Sequence, residues 1–187
     1  MIILDNTRYG ERQIDLRTKL FDNRCIFLTG KIDPIFSEEI INQLMILNSR
    51  SRDDIYLYIN STGGEVISGL AIYDCMNSLN CDVSTIVLGQ ASSMACIILS
   101  SGTKGKRFAY PNSEIMAHTV SSGYYGKEAD IEVSANRTRR LNETLMNILA
   151  NNCNRTVDEV IKETEHDKFF TSNEAVEFGL VDYIIGE

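Results

Sequence analysis

Two adjacent serines, Ser92 and Ser93, stand in the stretch "GQASSMACIILSSG" between an apolar strand-like run and a short apolar helical run. A hydroxyl at a strand-to-helix turn lies beside the unpaired N–H groups of the new helix, Met94 first, and such donors suit a developing oxyanion. Gly64, in the turn "NSTGG" that opens another helix, can aim a second N–H at the same point. Two donors, a nucleophile and a base make an acyl-transfer site. The base has two candidates, His118 and His166, the chain's only histidines. His118 closes a strand on the side where these turns converge, which favours it. The acid that orients it stays open at this level: composition does not separate Asp167 from Asp74, Asp130 or Asp182, and triads on different folds follow different chain orders. The plain readings compete with these, since serine is a preferred helix cap and a glycine pair often only makes a tight turn.

The elements that must position these residues alternate. "CIFLTG" is a short strand, and Ser37 with Glu38 and Glu39 is expected to cap a helix carrying Ile40, Leu44 and Leu47. "IYLYI" (55–59) is a continuous apolar, β-rich run, as in a strand buried on both faces, and leads through "NSTGG" into a helix bearing Ile67, Leu70, Ala71 and Met76. "VSTIVL" (83–88) repeats the unit, with "GQASS" as turn and "MACIILSSG" as a buried helix ended by Gly102. "KRFAYPNSEIMAH" gives two short strands around a Pro-Asn turn, and a long helical stretch follows from about 127 to 151. Thr156 with Glu159, and Thr171 with Glu174, have capping-box spacing, and Gly179 ends the second helix before "VDYII". This order predicts one α/β domain over residues 1–187 with a mainly parallel sheet.

A chain of 187 residues with 43% hydrophobic residues can bury a core as one domain. Its net charge of −8 argues against nucleic acid as a partner. The start, "MIILDNTRYGERQIDL", lacks the pattern of a signal peptide, and no apolar run approaches the roughly 20 residues of a membrane span. Five cysteines without a C-x-x-C pair fit a reducing cytoplasm, and neither histidine stands at a zinc-site spacing from a cysteine pair. A soluble cytoplasmic protein without membrane or metal is expected.

The blocks "ERQIDL", "IFLTG", "DIYLYINSTGGEVISGLAIYDCM", "GQASSMA", "GKRFAYPNSEIMAH", "EHDKFF" and "EAVEFGLVD", in this order over nearly the whole chain, resemble the ClpP family of Clp protease proteolytic subunits. The resemblance implies the ClpP/crotonase-like α/β fold, with a handle helix at about 127–151 and an axial loop at about 1–10. It implies a serine endopeptidase in which Ser93 is the nucleophile, His118 the base and Asp167 the acid, with the N–H groups of Gly64 and Met94 as oxyanion hole. It further implies two stacked heptameric rings forming a tetradecamer, possibly mixed with a paralogue, and unfolded polypeptide as substrate. An AAA+ unfoldase of the ClpX, ClpA or ClpC type is the implied partner; it uses the ATP, and the peptidase itself needs no cofactor. Docking of that partner is implied for Tyr56, Tyr58, Leu88 and Phe108.

Several residues depart from the family pattern. Thr62 stands for the usual proline of Ser-Pro-Gly-Gly, Ala95 for the glycine after Ser-Met, and Ser78 where relatives often carry an aromatic docking residue. "HTVSSG" replaces His-Gln-Pro-x-Gly-Gly, so Thr119 and Val120 occupy the strand that lines substrate in the family. Two other functions compete with the peptidase: a crotonase-like acyl-CoA enzyme, which uses two backbone donors and no serine, and a non-catalytic ring subunit that modulates an active paralogue.

Overall fold

A computed structural model of the chain describes residues 1–7 and 10–186. The expected axial loop at about 1–10 falls on an antiparallel hairpin of β1 (Ile2–Thr7) and β2 (Gly10–Asp15); its residues 8 and 9 lie outside the described residues. The Asp15 carboxylate then accepts from the Arg17 N–H at 2.8 Å and caps α1 (Leu16–Asp22).

Strand-helix units follow: β3 (Cys25–Ile32), α2 (Pro34–Arg50), β4 (Ile55–Gly64), α3 (Val66–Ser78), β5 (Val83–Ser92) and α4 (Met94–Ser100). Strands β3, β4 and β5 run parallel and continue into β6 (Arg107–Ala109) and β9 (Tyr183–Ile184). The decisive irregularity is in β5. Its first half pairs with β6, and its last three residues pair instead with β7 (Glu114–Ala117), bringing Ser92 opposite Met116. On its other side β7 takes an antiparallel partner, β8 (Lys168–Phe170), with Ala117 opposite Lys168.

One face of the sheet is buried under helices. Ile26, Leu28, Ile55, Leu57, Ile59 and Val87 pack against α2, α3 and α4, and α4 is buried along its whole length. The other face leaves Phe27, Tyr56 and Leu88 about two-fifths exposed or more, so β4 is buried on one face only, contrary to its continuously apolar sequence. Tyrosine is responsible: its ring fits a half-exposed strand face as well as a core. The long α5 (Glu128–Cys153) buries residues only from Leu145 onward, whereas Ile131 and Val133 in its first half are exposed.

Other boundaries shift for identifiable reasons. The second helix starts at Pro34 with Asp33 as cap, its carboxylate accepting from Phe36 N–H at 2.8 Å; Ser37 is buried inside the helix, donating to Pro34 O. Proline is pre-set for a first helical turn, and the earlier signal prevails. The expected turns "NSTGG" and "GQASS" belong to β4 and β5, leaving Ser93 alone as the connection to α4. In α3 the buried residues are Ser68, Gly69, Ile72 and Met76, with Ile67 and Ala71 exposed. Gly102 follows a helix already capped by Ser101, and its φ is not left-handed; a Cβ there would meet Thr85 Oγ1 at 2.2 Å, so close packing requires the glycine. Both capping boxes, Thr156 on α6 (Val157–Thr164) and Thr171 on α7 (Ser172–Phe178), are formed, and Gly179 closes α7 at φ 94°.

Candidate active site

The sheet register builds the site. Because Ser92 pairs with Met116, the Ser93 N–H reaches Met116 O at 2.8 Å, and the chain leaves β7 two residues later at His118. Because Ala117 pairs with Lys168 in an antiparallel ladder, the residues beyond each strand end, His118 and Asp167, fall opposite one another. The side chains meet accordingly. His118 Nε2 lies 2.8 Å from Ser93 Oγ, and His118 Nδ1 lies 3.1 Å from Asp167 Oδ1. The imidazole is 22% exposed and the carboxylate 61%. His166, next to Asp167, is exposed.

Ser93 holds φ 55° and ψ −121°, a conformation L-residues rarely adopt, costing on the order of 1–3 kcal/mol. The surroundings enforce it. Its N–H is fixed by Met116 O, and its carbonyl accepts from Cys96 N–H at 3.0 Å in the first turn of α4. The hydroxyl makes no capping bond, so a helix-cap role does not account for it. Ser92 ends β5, buried in the ladder.

Gly63 and Gly64 make the close approach opposite. A Cβ on Gly63 would fall 2.4 Å from Ser92 O and 2.9 Å from Met94 N, and one on Gly64 would fall 2.1 Å from Ile32 O. Ser61 holds this end of β4, accepting from Gly63 N–H at 3.0 Å and donating to Gly30 O at 2.5 Å. Gly63 was not among the expected site residues; its signal was the glycine doublet that ends an apolar strand. Gly64, Ser93, Met94 and His118 border one cavity of about 250 Å³, whose apolar walls are Val66, Ile97, Met116, Val120 and Leu145. The Met94 N–H is the first of α4 and has no acceptor within its helix. Among the described residues, no group of three His, Cys, Asp or Glu side chains is placed to hold a metal ion.

A family model described as Clp protease matches residues 8–187. The chain belongs to the Clp protease family. It is 42% identical over 184 residues to the ATP-dependent Clp protease proteolytic subunit of Ligilactobacillus salivarius (strain UCC118), covering 98% of this chain and 93% of that one. Membership identifies the chain as a serine peptidase of that family; neither match lends support to an acyl-CoA enzyme or to a non-catalytic subunit.

The positions that depart from the Clp family pattern have physical surroundings. Thr62 is exposed on the cavity rim, Ala95 is wholly buried in α4, and Ser78 ends α3 with its hydroxyl turned back to Cys75 O. Residues 119–125 form neither strand nor helix, in place of the expected substrate-lining strand, yet Thr119 and Val120 still line the cavity. The four residues implied for unfoldase docking share the sheet face away from the helices. Tyr58, Ile86, Phe108 and Tyr183 stand in one cross-strand row, with Tyr56 two residues before Tyr58 and Leu88 two after Ile86. Phe27 joins them, stacked on Tyr58 at 5.2 Å, and was missed because "CIFLTG" carries no alternation to expose it.

Proposed function

We propose that the chain cleaves unfolded polypeptides through an acyl-enzyme on Ser93, as the peptidase core of an ATP-dependent Clp protease. The observation that carries this reading is the contact chain from Ser93 Oγ to His118 Nε2 at 2.8 Å and from His118 Nδ1 to Asp167 Oδ1 at 3.1 Å. His118 takes the Ser93 proton as Oγ attacks the scissile carbonyl. Asp167 accepts from Nδ1–H, which fixes the tautomer with a free lone pair on Nε2 and stabilises the imidazolium that forms. The N–H groups of Gly64 and Met94, on the cavity that Ser93 borders, receive the oxyanion. Protonated His118 then delivers its proton to the leaving amine, and water repeats the sequence to free the acyl group. None of these steps calls for a cofactor. The walls Val66, Ile97, Met116, Val120 and Leu145 suit an apolar side chain beside the scissile bond.

The Ligilactobacillus relative is the proteolytic subunit of an ATP-dependent protease, which supports an ATP-dependent setting here and with it an ATPase partner. We assign that role to an AAA+ unfoldase docked on the face of Tyr56, Tyr58, Leu88 and Phe108, which keeps large apolar side chains partly exposed. The unburied first half of α5 suits a handle between two heptameric rings, and the β1–β2 hairpin suits an axial loop. A cytoplasmic setting fits five free cysteines and the lack, among the described residues, of any helix long and apolar enough to cross a membrane.

The test compares substrates. Short unstructured peptides are cleaved without nucleotide, while a stably folded protein survives until an AAA+ unfoldase and ATP are added. Degradation of the folded protein by the purified chain alone contradicts the chambered-protease reading.

A further inference from the structure

We propose that Asn142 is a positioning residue for the substrate pocket: its side-chain carbonyl holds the backbone of Val120, and through it one wall of the cavity beside Ser93. The inference rests on the serine-peptidase reading of that cavity and adds what sets its selectivity.

Residues 119–125 belong to no strand or helix, so the N–H groups at the less exposed start of this segment depend on acceptors from other elements. Thr119 N–H donates to Thr164 O at 3.1 Å, and Val120 N–H donates to Asn142 Oδ1 at 3.0 Å. Further on, Ser122 Oγ lies 3.1 Å from Thr138 Oγ1, and the Tyr124 hydroxyl donates to the same oxygen. Thr138, Asn142 and Leu145 are spaced four and three residues apart on α5, hence on one face of it. That face tethers the segment at two points and then contributes Leu145 to the cavity that Val120 also lines. In "TVSSGYYG" Val120 is the only aliphatic side chain, so burial alone gives the segment little register. A directional bond to a half-buried amide supplies it. The Asn142 side chain bonds to Val120 N–H rather than to the triad or the expected oxyanion donors; it acts through Val120.

The test uses the full assembled chain and two diphenyl phosphonate probes that differ only in bearing a leucine or an alanine side chain next to phosphorus. The rate of Ser93 modification by each is followed by intact mass. Asn142→Leu, which keeps size and loses the acceptor, is expected to lower the leucine-over-alanine preference at least about fivefold. Asn142→Asp, which keeps an acceptor, restores it to within about twofold. In a Val120→Ala background, where the wall is already gone, Asn142→Leu has no further effect. Unchanged preference in Asn142→Leu, an Asn142→Asp as deficient as Asn142→Leu, or additive losses in the double variant each overturn the inference. Should Asn142→Leu fail to assemble, Asn142→Ala takes its place in the same comparison, where a lowered preference supports the inference and an unchanged one overturns it. Failure of both probes to modify Ser93 in the unsubstituted chain overturns the serine-peptidase reading, and this inference with it.

Discussion

Asp167 is the least protected member of the Ser93 group, at 61% exposure against 22% for the imidazole it orients. Water screens its charge, so its hold on His118 rests on the close approach of Oδ1 to Nδ1 at 3.1 Å rather than on long-range attraction. Asp167→Asn keeps the size but can donate to Nδ1, which favours the wrong tautomer. We expect kcat for a fluorogenic peptide to fall about 10³- to 10⁴-fold with assembly intact; a loss below about tenfold contradicts the assigned role. Placement by a distant strand pairing explains why the sequence left four aspartates open. Ser93 and His118 announced themselves by standing at the ends of strands, whereas Asp167 is placed by the pairing of Ala117 with Lys168, across about fifty residues of chain. The three residues of β8 are too few to display a strand period. Only the family resemblance pointed to Asp167 beforehand.

Elements were legible where local chemistry decides them. The capping boxes at Thr156 and Thr171 formed as their spacing required, and the apolar runs at 55–59 and 83–88 became the central strands. Their ends were not legible, because Gly, Ser and Thr after an apolar run signal a turn, while here neighbouring strands extend the ladder over them. That extension sets Gly63 against the backbone of Ser92 and Met94. At φ +82°, with its would-be Cβ 2.4 Å from Ser92 O, this position excludes any side chain. Gly63→Ala should displace Ser93 from His118, cost about 2–3 kcal/mol of stability, and slow fluorophosphonate labelling of Ser93 strongly. Wild-type labelling and an unchanged melting temperature in that variant contradict the close-approach account.

The whole molecule is tied together by Arg107, whose side chain is 4% exposed. It pairs with Asp182 through Nη2 at 2.6 Å and Nε at 2.9 Å and donates to Ser100, Asn152 and Gly179 carbonyls, joining β6 to the ends of α4, α5 and α7. Burial pushes the Asp182 carboxyl up, but the Arg107 guanidinium outweighs it and holds the group below the usual carboxylate range. A carboxyl depressed by folding stabilises above its unfolded pKa of about 3.9, and that stability is lost as pH falls through the folded value. Asp182→Asn, which strands a buried cation, should therefore cost about 3 kcal/mol near neutral pH. Its melting temperature should converge on that of the unsubstituted chain in acid. A gap independent of pH contradicts the assignment. The pair joins segments 75 residues apart and carries no local sequence signal. At this scale the sequence indicated a parallel α/β domain, but not that β5 divides its pairing between β6 and β7, the feature that brings Ser93 to His118. The central claim, that Ser93 is the nucleophile of a serine peptidase, is tested most directly by intact-mass analysis and peptide mapping after exposure to a fluorophosphonate. One adduct per chain, on Ser93 and absent from Ser93→Ala, is the predicted result; an adduct on Ser92, or none on either serine, contradicts it.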